Sequence, residues 1–333
     1  MKLHSIIPVI LFAGLLSCSK EHGPVIPLTG GQEDTDNVPR SFAVVNQDGD
    51  RIQIVDRLTG LVSWSWSPAE SGLDATRQAW FGLPDEVKPV YDCKYLLITC
   101  TRGAVAIIRI SDKKLMFYAC PKGQPHSAEL LPDGRVVTVS STDGTQYGDK
   151  MRIYEVDTLA CFASAPLFEQ ALTFGHNAVW DLRNEVLWAT SNDVLNSYTY
   201  DATRASLSLR AEIALPDGAV QAHDLFPEYG TRRLWLTTSN KVYQFDTQTT
   251  TFTPLRANIV ANIKSISSGP QGYETLMLYP NQSYWSDRLI DLNGRYVWQQ
   301  DGARIYKGRW MLPNLFSYPE KHVFMNSQKK STL

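Results

Sequence analysis

A repeat constrains this chain more than any other feature. From His126 the sequence runs HSAELL, a PDG turn, RVVTVS, the polar loop STDGTQYGD, MRIYEV, a DTLA turn and CFA, which makes four short β-type runs. The same grammar restarts at His176 and His223, upstream at Lys88 and downstream at Lys264, so unit starts lie 38 to 50 residues apart. Alternating or β-branched runs closed by Gly, Asp and Asn predict strands, and no long segment carries a helical period. Four-stranded units at this spacing predict the blades of a β-propeller.

The two ends of the repeat region complete each other. SFAVVNQDGDRIQIVDRLTGLVSWSW, starting at Ser41, supplies three strands, and RIYKGRWM, residues 304–311, is a strand without a unit of its own. Joined, they make a further blade and close the ring, which removes two open apolar faces. The expectation is therefore an all-β, six-bladed propeller closed by a C-terminal strand on the N-terminal blade. Five or seven blades stay open, because Pro313 to Leu333 is unassigned. Gly175-His176 ahead of Trp180-Asp181 does not make a WD repeat, since that family places the two pairs most of a blade apart.

Three segments follow. Lys2, the apolar run from Ile6 to Leu16 and then Ser17-Cys18 read as an export signal over residues 1–18. The run is shorter than the roughly 20 residues of a spanning helix. Residues 19–40, with three prolines and an acidic run, read as a flexible tether. Residues 41–333 are the single propeller domain, larger than one ordinary core because repeats add cores serially. A formal net charge of −2 and the lack of a basic run argue against nucleic acid as a partner. Cys93, Cys100, Cys120 and Cys161 fit no zinc spacing; either disulfides or buried thiols are compatible with them. A monomer is expected.

Candidate site residues come from sorting positions by blade. The innermost strand of a propeller blade starts beside the mouth of the axial channel, and the loop between the second and third strands opens on the same face. The predicted inner-strand starts are Lys307, Lys88, His126, His176, His223 and Lys264. Three of the four histidines beyond residue 40 fall at this one position. The second-to-third-strand loops are polar throughout and include Asn46, Arg102, Ser141, Asn192, Asn240 and Asn281. Among the aromatics, Trp188, Trp235 and Trp298 sit inside strand patterns and are expected between blades. Tyr147 and Trp285 sit in mouth-side loops and are the two expected near a ligand.

Two chemistries suit such a ring. His126, His176 and His223 could share a divalent metal (Mn, Zn or Ca), with Lys88 or Lys264 or a free histidine as base for β-elimination from a uronate. Alternatively the mouth binds an anionic oligosaccharide or small acid without catalysis, Lys307, Arg102, Asn192, Asn240 and Asn281 contributing contacts. A platform for protein partners, using rim loops instead, is a third reading.

In its architecture and histidine placement the chain resembles the propeller-fold polysaccharide lyases, including the oligogalacturonate lyases. That resemblance implies a metal on the channel face, but those enzymes have seven blades and a glutamine ligand not matched here. Leu15-Leu16-Ser17-Cys18 resembles a lipobox, which implies lipidation of Cys18 and contact with the outer membrane through the lipid alone. From the lipobox, the acidic tether and the propeller together, the chain is similar to an uncharacterised family of exported propeller lipoproteins of Bacteroides-type bacteria. Such a relationship implies glycan uptake as a setting and specifies no reaction.

Overall fold

The computed structural model describes residues 40–324. The export signal, Cys18 and nearly all of the tether lie outside the described residues. Blade 1 opens with β1 (Ser41–Asn46), β2 (Arg51–Asp56) and β3 (Val62–Trp66). Blade 2 is β4 (Pro84–Val90), β5 (Tyr95–Cys100), β6 (Val105–Arg109) and β7 (Leu115–Ala119). Blade 3 is built on β8 (Pro125–Leu130), β9 (Val136–Ser140) and β10 (Lys150–Tyr154). From there β11 (Phe162–Ala163) crosses to pair in parallel with β7, and β12 (Phe168–Ala171) returns to complete blade 3. Blade 4 is β13 (Asn177–Asp181), β14 (Val186–Thr190), β15 (Val194–Asp201) and β16 (Ser206–Ala214). Blade 5 is β17 (Asp224–Pro227), β18 (Arg233–Thr237), β19 (Val242–Asp246) and β20 (Thr251–Pro254). Blade 6 is β21 (Ser265–Ser267), β22 (Leu276–Leu278), β23 (Arg288–Ile290) and β24 (Tyr296–Gln299).

The last strand, β25 (Ile305–Trp310), pairs antiparallel with β1, Phe42 opposite Trp310 and Val44 opposite Gly308. Blade 1 thus has the order β25-β1-β2-β3, and the fold is the six-bladed propeller expected from the repeat. Among the described residues no helix is long and apolar enough to cross a membrane.

Period-two alternation turns each blade into a sheet with two apolar faces. Each face packs on the next blade, so the core is a ring of six separate clusters. Phe42, Val44, Leu276, Leu289 and Trp298 join blades 6 and 1, which is the contact that closes the ring. Trp188 lies between blades 4 and 5 and Trp235 between blades 5 and 6, as their strand positions require. Ala128 and Leu130 face blade 2. The hairpin between β8 and β9 is held by the Leu131 and Arg135 backbone groups, 2.8 Å apart, with Gly134 at φ +83°, a conformation few side chains tolerate.

The tail left unassigned by the repeat crosses the end of the propeller opposite the inner-strand starts. Leu182 N–H donates to Phe316 O at 3.1 Å, and His322 N–H donates to Asp92 Oδ1 at 3.1 Å. Both acceptors or donors on the propeller side belong to turns between first and second strands. Phe324 stacks on Tyr95 with centroids 4.8 Å apart, and the buried Tyr318 hydroxyl donates to Glu129. That end of the axis is covered by the chain's own residues.

Candidate functional site

Side chains at the other end of the axis converge because every innermost strand begins there. His126 and His176 stack face to face, with centroids 4.3 Å apart and planes 15° from parallel. His223 meets His176 edge-on at 5.6 Å, and its Nε2 lies 2.9 Å from Lys264 Nζ. The sequence therefore identified four members of one cluster. It misplaced Lys307, which follows the mouth residue Tyr306 by one place, and Lys88, which lies in the middle of β4 rather than at its start.

The residue that stands in that place is Asp85. The register of β4 on β5 skips Asp85, just as β8 on β9 skips His126 and β25 on β1 skips Tyr306. The signal was present: PDEVK and PHSAE align residue for residue, proline first, and put Asp85 with His126 and Lys88 with Glu129. His126 Nδ1 lies 2.7 Å from Asp85 Oδ2 but out of line for a hydrogen bond, and Thr101 Oγ1 donates to the same oxygen at 2.8 Å. Asp85 Oδ1 and His223 Nδ1 are buried without a partner among the described residues.

The electrostatics of the cluster follow from burial. His176 is held well below the ordinary imidazole range by burial and then by its two histidine neighbours, so it is neutral. His223 is lowered to about 3, first by burial and then by Lys264. Lys264 itself falls to about 8, through burial and then the positive charge of Lys307. A neutral imidazole beside an ammonium accepts its proton in a hydrogen bond, which leaves His223 Nδ1 as a donor.

Lys307 and Lys88 do not face an open channel. Lys307 Nζ is 3.1 Å from Glu86 Oε2 and 3.4 Å from Asp224 Oδ1, and Arg309 reaches the same two carboxylates, its Nη2 2.6 Å from Asp224 Oδ1. Arg309 also donates to Ile266 O at 3.0 Å, and its guanidinium lies 4.0 Å from the centre of the Phe226 ring. Deeper, Lys88 Nζ donates to Glu129 Oε2 at 3.0 Å and to Ala178 O at 2.7 Å. All these side chains are buried. The axis is filled by compensated charges, because an ammonium deprived of water needs a carboxylate in its place. Glu86 and Arg309 were not singled out in the sequence, although the spacing of two in Glu86/Lys88 and Lys307/Arg309 puts each pair on one face of a strand.

The three imidazoles do not gather as a metal set. Face-to-face stacking keeps the His126 and His176 nitrogens from aiming at a common point, and His176 Nδ1 lies 3.2 Å from Phe174 O and 3.4 Å from Ser141 Oγ. Among the described residues no group of three His, Cys, Asp or Glu side chains is arranged to hold an ion. Among the described residues Cys93, Cys100, Cys120 and Cys161 are free thiols, with Cys93 pushed up to about 12 by burial.

The polar loops do open on the mouth side, as strand order dictates. Arg102, Asn240 and Asn281 are exposed and Asn192 is half-buried. Asn281 Nδ2 donates to Asp287 Oδ1 at 2.7 Å, and Asn240 Oδ1 accepts from Thr238 Oγ1 at 3.1 Å, so both shape their own loops. Tyr147 is exposed with Lys122 Nζ 4.5 Å from its ring centre, and Trp285 has the Arg304 guanidinium at 5.4 Å.

A model described as "Family of unknown function (DUF6528)" matches residues 1–328. No curated protein matches the chain. Among solved structures, a protein of unknown function from Bacteroides caccae is similar at 12% identity and a TM-score of 0.54, over 83% of this chain and 100% of that one. A functionally unknown protein from Desulfotomaculum acetoxidans is similar at 10% identity and a TM-score of 0.54, covering 82% and 99%. Hydrazine synthase of Kuenenia stuttgartiensis is similar at 12% identity and a TM-score of 0.50, covering 76% and 73%. At these identities the likeness concerns the fold alone.

Proposed function

The chain belongs to the DUF6528 family, which is one of unknown function, and from its own residues we propose that it is a binding propeller whose axial mouth receives the carboxylate of an anionic saccharide. One observation carries this reading. Lys88, Arg152, Lys307 and Arg309 are buried cations with a carboxylate in contact. Lys264, less deeply buried at 9% exposure, differs in kind: among the described residues it has no carboxylate within 4 Å and rests on a neutral imidazole. Such a charge is stabilised by an anion from outside.

Lys264 would supply the charge, held in place by His223, whose neutral Nε2 accepts one of its protons. His126, 13% exposed and beside Asp85, and the polar loops provide donors and acceptors for ring hydroxyls. Delivery to the cell envelope by a lipidated Cys18 is part of the same proposal, and it suits a protein that meets extracellular glycans.

Calorimetric titration with galacturonate and, in parallel, with galactose tests the reading. Galacturonate is expected to bind and galactose to bind at least tenfold more weakly, with Lys264→Met removing the difference. Equal affinity for the two sugars would refute it. A second reading, lytic cleavage of a uronide, draws on the nearness of Asp85 Oδ2 to His126 Nδ1, 2.7 Å apart though not hydrogen-bonded, which sets a carboxylate beside a candidate base. Incubation with polygalacturonate, following absorbance of an unsaturated product, decides it: no absorbance change at high enzyme concentration leaves the binding reading alone.

A further inference from the structure

The aromatics at the rim deepen that reading. Blades 3 and 6 are opposite each other in a ring of six, and each presents at the mouth an aromatic ring with a cation beside it. In blade 3 this is Tyr147 with Lys122, and at blade 6 it is Trp285 with Arg304. Neither ring hangs on a loose loop. The β9–β10 loop is pinned by Asp143, whose Oδ1 accepts from Thr145 N–H at 2.9 Å, and by Thr142 Oγ1 donating to Asp149. It lies so close to Gly123 that an added Cβ there would collide with Tyr147 O. The β22–β23 loop is pinned by Gln282 N–H donating to Trp285 O at 3.2 Å and by the bridge of Ser286 to Ile305, next to the mouth residue Tyr306. Beside Trp285, Tyr284 remains 44% exposed while its ring meets Tyr306 edge-on at 6.0 Å.

Resting on the anion-binding reading, we infer that the ligand is an oligomer of acidic sugars laid across the mouth, rather than a single sugar acid. Lys264 takes the carboxylate of a central residue. The flanking residues reach outward to Tyr147 and to Trp285 and Tyr284, where an aromatic face meets the apolar face of a pyranose and the adjacent cation meets its carboxylate. A lone sugar acid would satisfy Lys264 and leave both rim sites without a role. Two rim sites on opposite blades, each with the same pairing of ring and cation, match a repeating anionic polymer.

The experiment is a calorimetric ladder with galacturonate and its oligomers of increasing length, on the parent and on Tyr147→Ala, Lys122→Met and Trp285→Ala variants whose melting temperatures match the parent's. Affinity is expected to climb by about tenfold for each rim site engaged, an increment typical of one aromatic or charged contact. Each rim variant is expected to lose its step for the long oligomers while binding the monomer within about twofold of the parent. If monomer and long oligomers bind equally, or if the rim variants bind the oligomers as the parent does, the oligomer inference is overturned and the carboxylate site survives. If neither monomer nor oligomer binds the parent, both readings fall.

Discussion

Replacing Arg309 with methionine isolates the charge that the axis depends on. Methionine keeps an unbranched apolar stem against Phe226, so the substitution mainly deletes the guanidinium. In the parent, Arg309 and Lys307 balance Glu86 and Asp224, all four buried. In the variant two carboxylates share one ammonium, and one negative charge is left without compensation. Removing one partner of a buried pair costs about 3–5 kcal/mol. For a domain of this size that is a fall in Tm of roughly 6–20 °C. Burial alone pushes the Glu86 and Asp224 carboxyls up, but Arg309 and then Lys307 more than offset it and hold both below their ordinary values of 4.5 and 3.8. Their contribution is therefore full above those values and is lost as pH falls through the lower folded ones. Without Arg309 the acid unfolding midpoint should move to higher pH. Combining Arg309→Met with Glu86→Gln restores neutrality around Lys307 and Asp224 and should recover stability rather than add a second loss. Urea and thermal melts across pH make the measurement. An Arg309→Met cost below about 1 kcal/mol, or strictly additive losses in the double variant, would refute the compensated-axis argument.

Other outcomes follow from the same contacts. Uronate affinity should be full below the Lys264 value of about 8 and weaken as pH rises past it, and Lys264→Met should abolish that dependence in calorimetry. The His223 ring, lowered to about 3, should show no titration between roughly pH 5 and 8 by NMR, where an ordinary histidine titrates. Gly123→Ala meets both a φ of +66° and the Tyr147 carbonyl, so it should cost about 1–3 kcal/mol in urea melts and weaken oligomer binding more than monomer binding. Tyr318→Phe removes the hydroxyl that donates to the buried Glu129, whose carboxyl burial has already pushed up. Its expected cost is about 1–3 kcal/mol, and an unchanged melting curve would show that the tail does not seal the axis.

The blade count, the closing strand and the three inter-blade tryptophans were legible because they depend on period, which a sequence displays directly. The histidine cluster was legible for the same reason, since a fixed position in each unit becomes a fixed position around an axis. Lys88 was misplaced by three residues because the unit was started at a lysine to match the histidines, whereas PDEVK begins at Pro84 and carries its mouth residue one place later. The axial ion network was illegible for a different reason. Lys307 and Glu86 are 221 positions apart, and only ring closure brings them to 3.1 Å. Nor could the sequence tell that Lys88 and Lys307 meet carboxylates and Lys264 only a neutral imidazole, because that distinction depends on contacts between blades.

The closing strand links these levels. β25 supplies Tyr306 to the mouth and both Lys307 and Arg309 to the axis, while their carboxylate partners come from β4 and the start of β17. Until β25 docks on β1, Glu86 and Asp224 lack Arg309 and Lys307, the cations in contact with them, and burying both carboxylates is costly. Ring closure, charge compensation and completion of the mouth are consequently one event. A chain ending before Ile305 should fail to form the site as well as the ring, and adding the missing strand as a separate peptide should restore uronate binding and cooperative melting together, not one without the other.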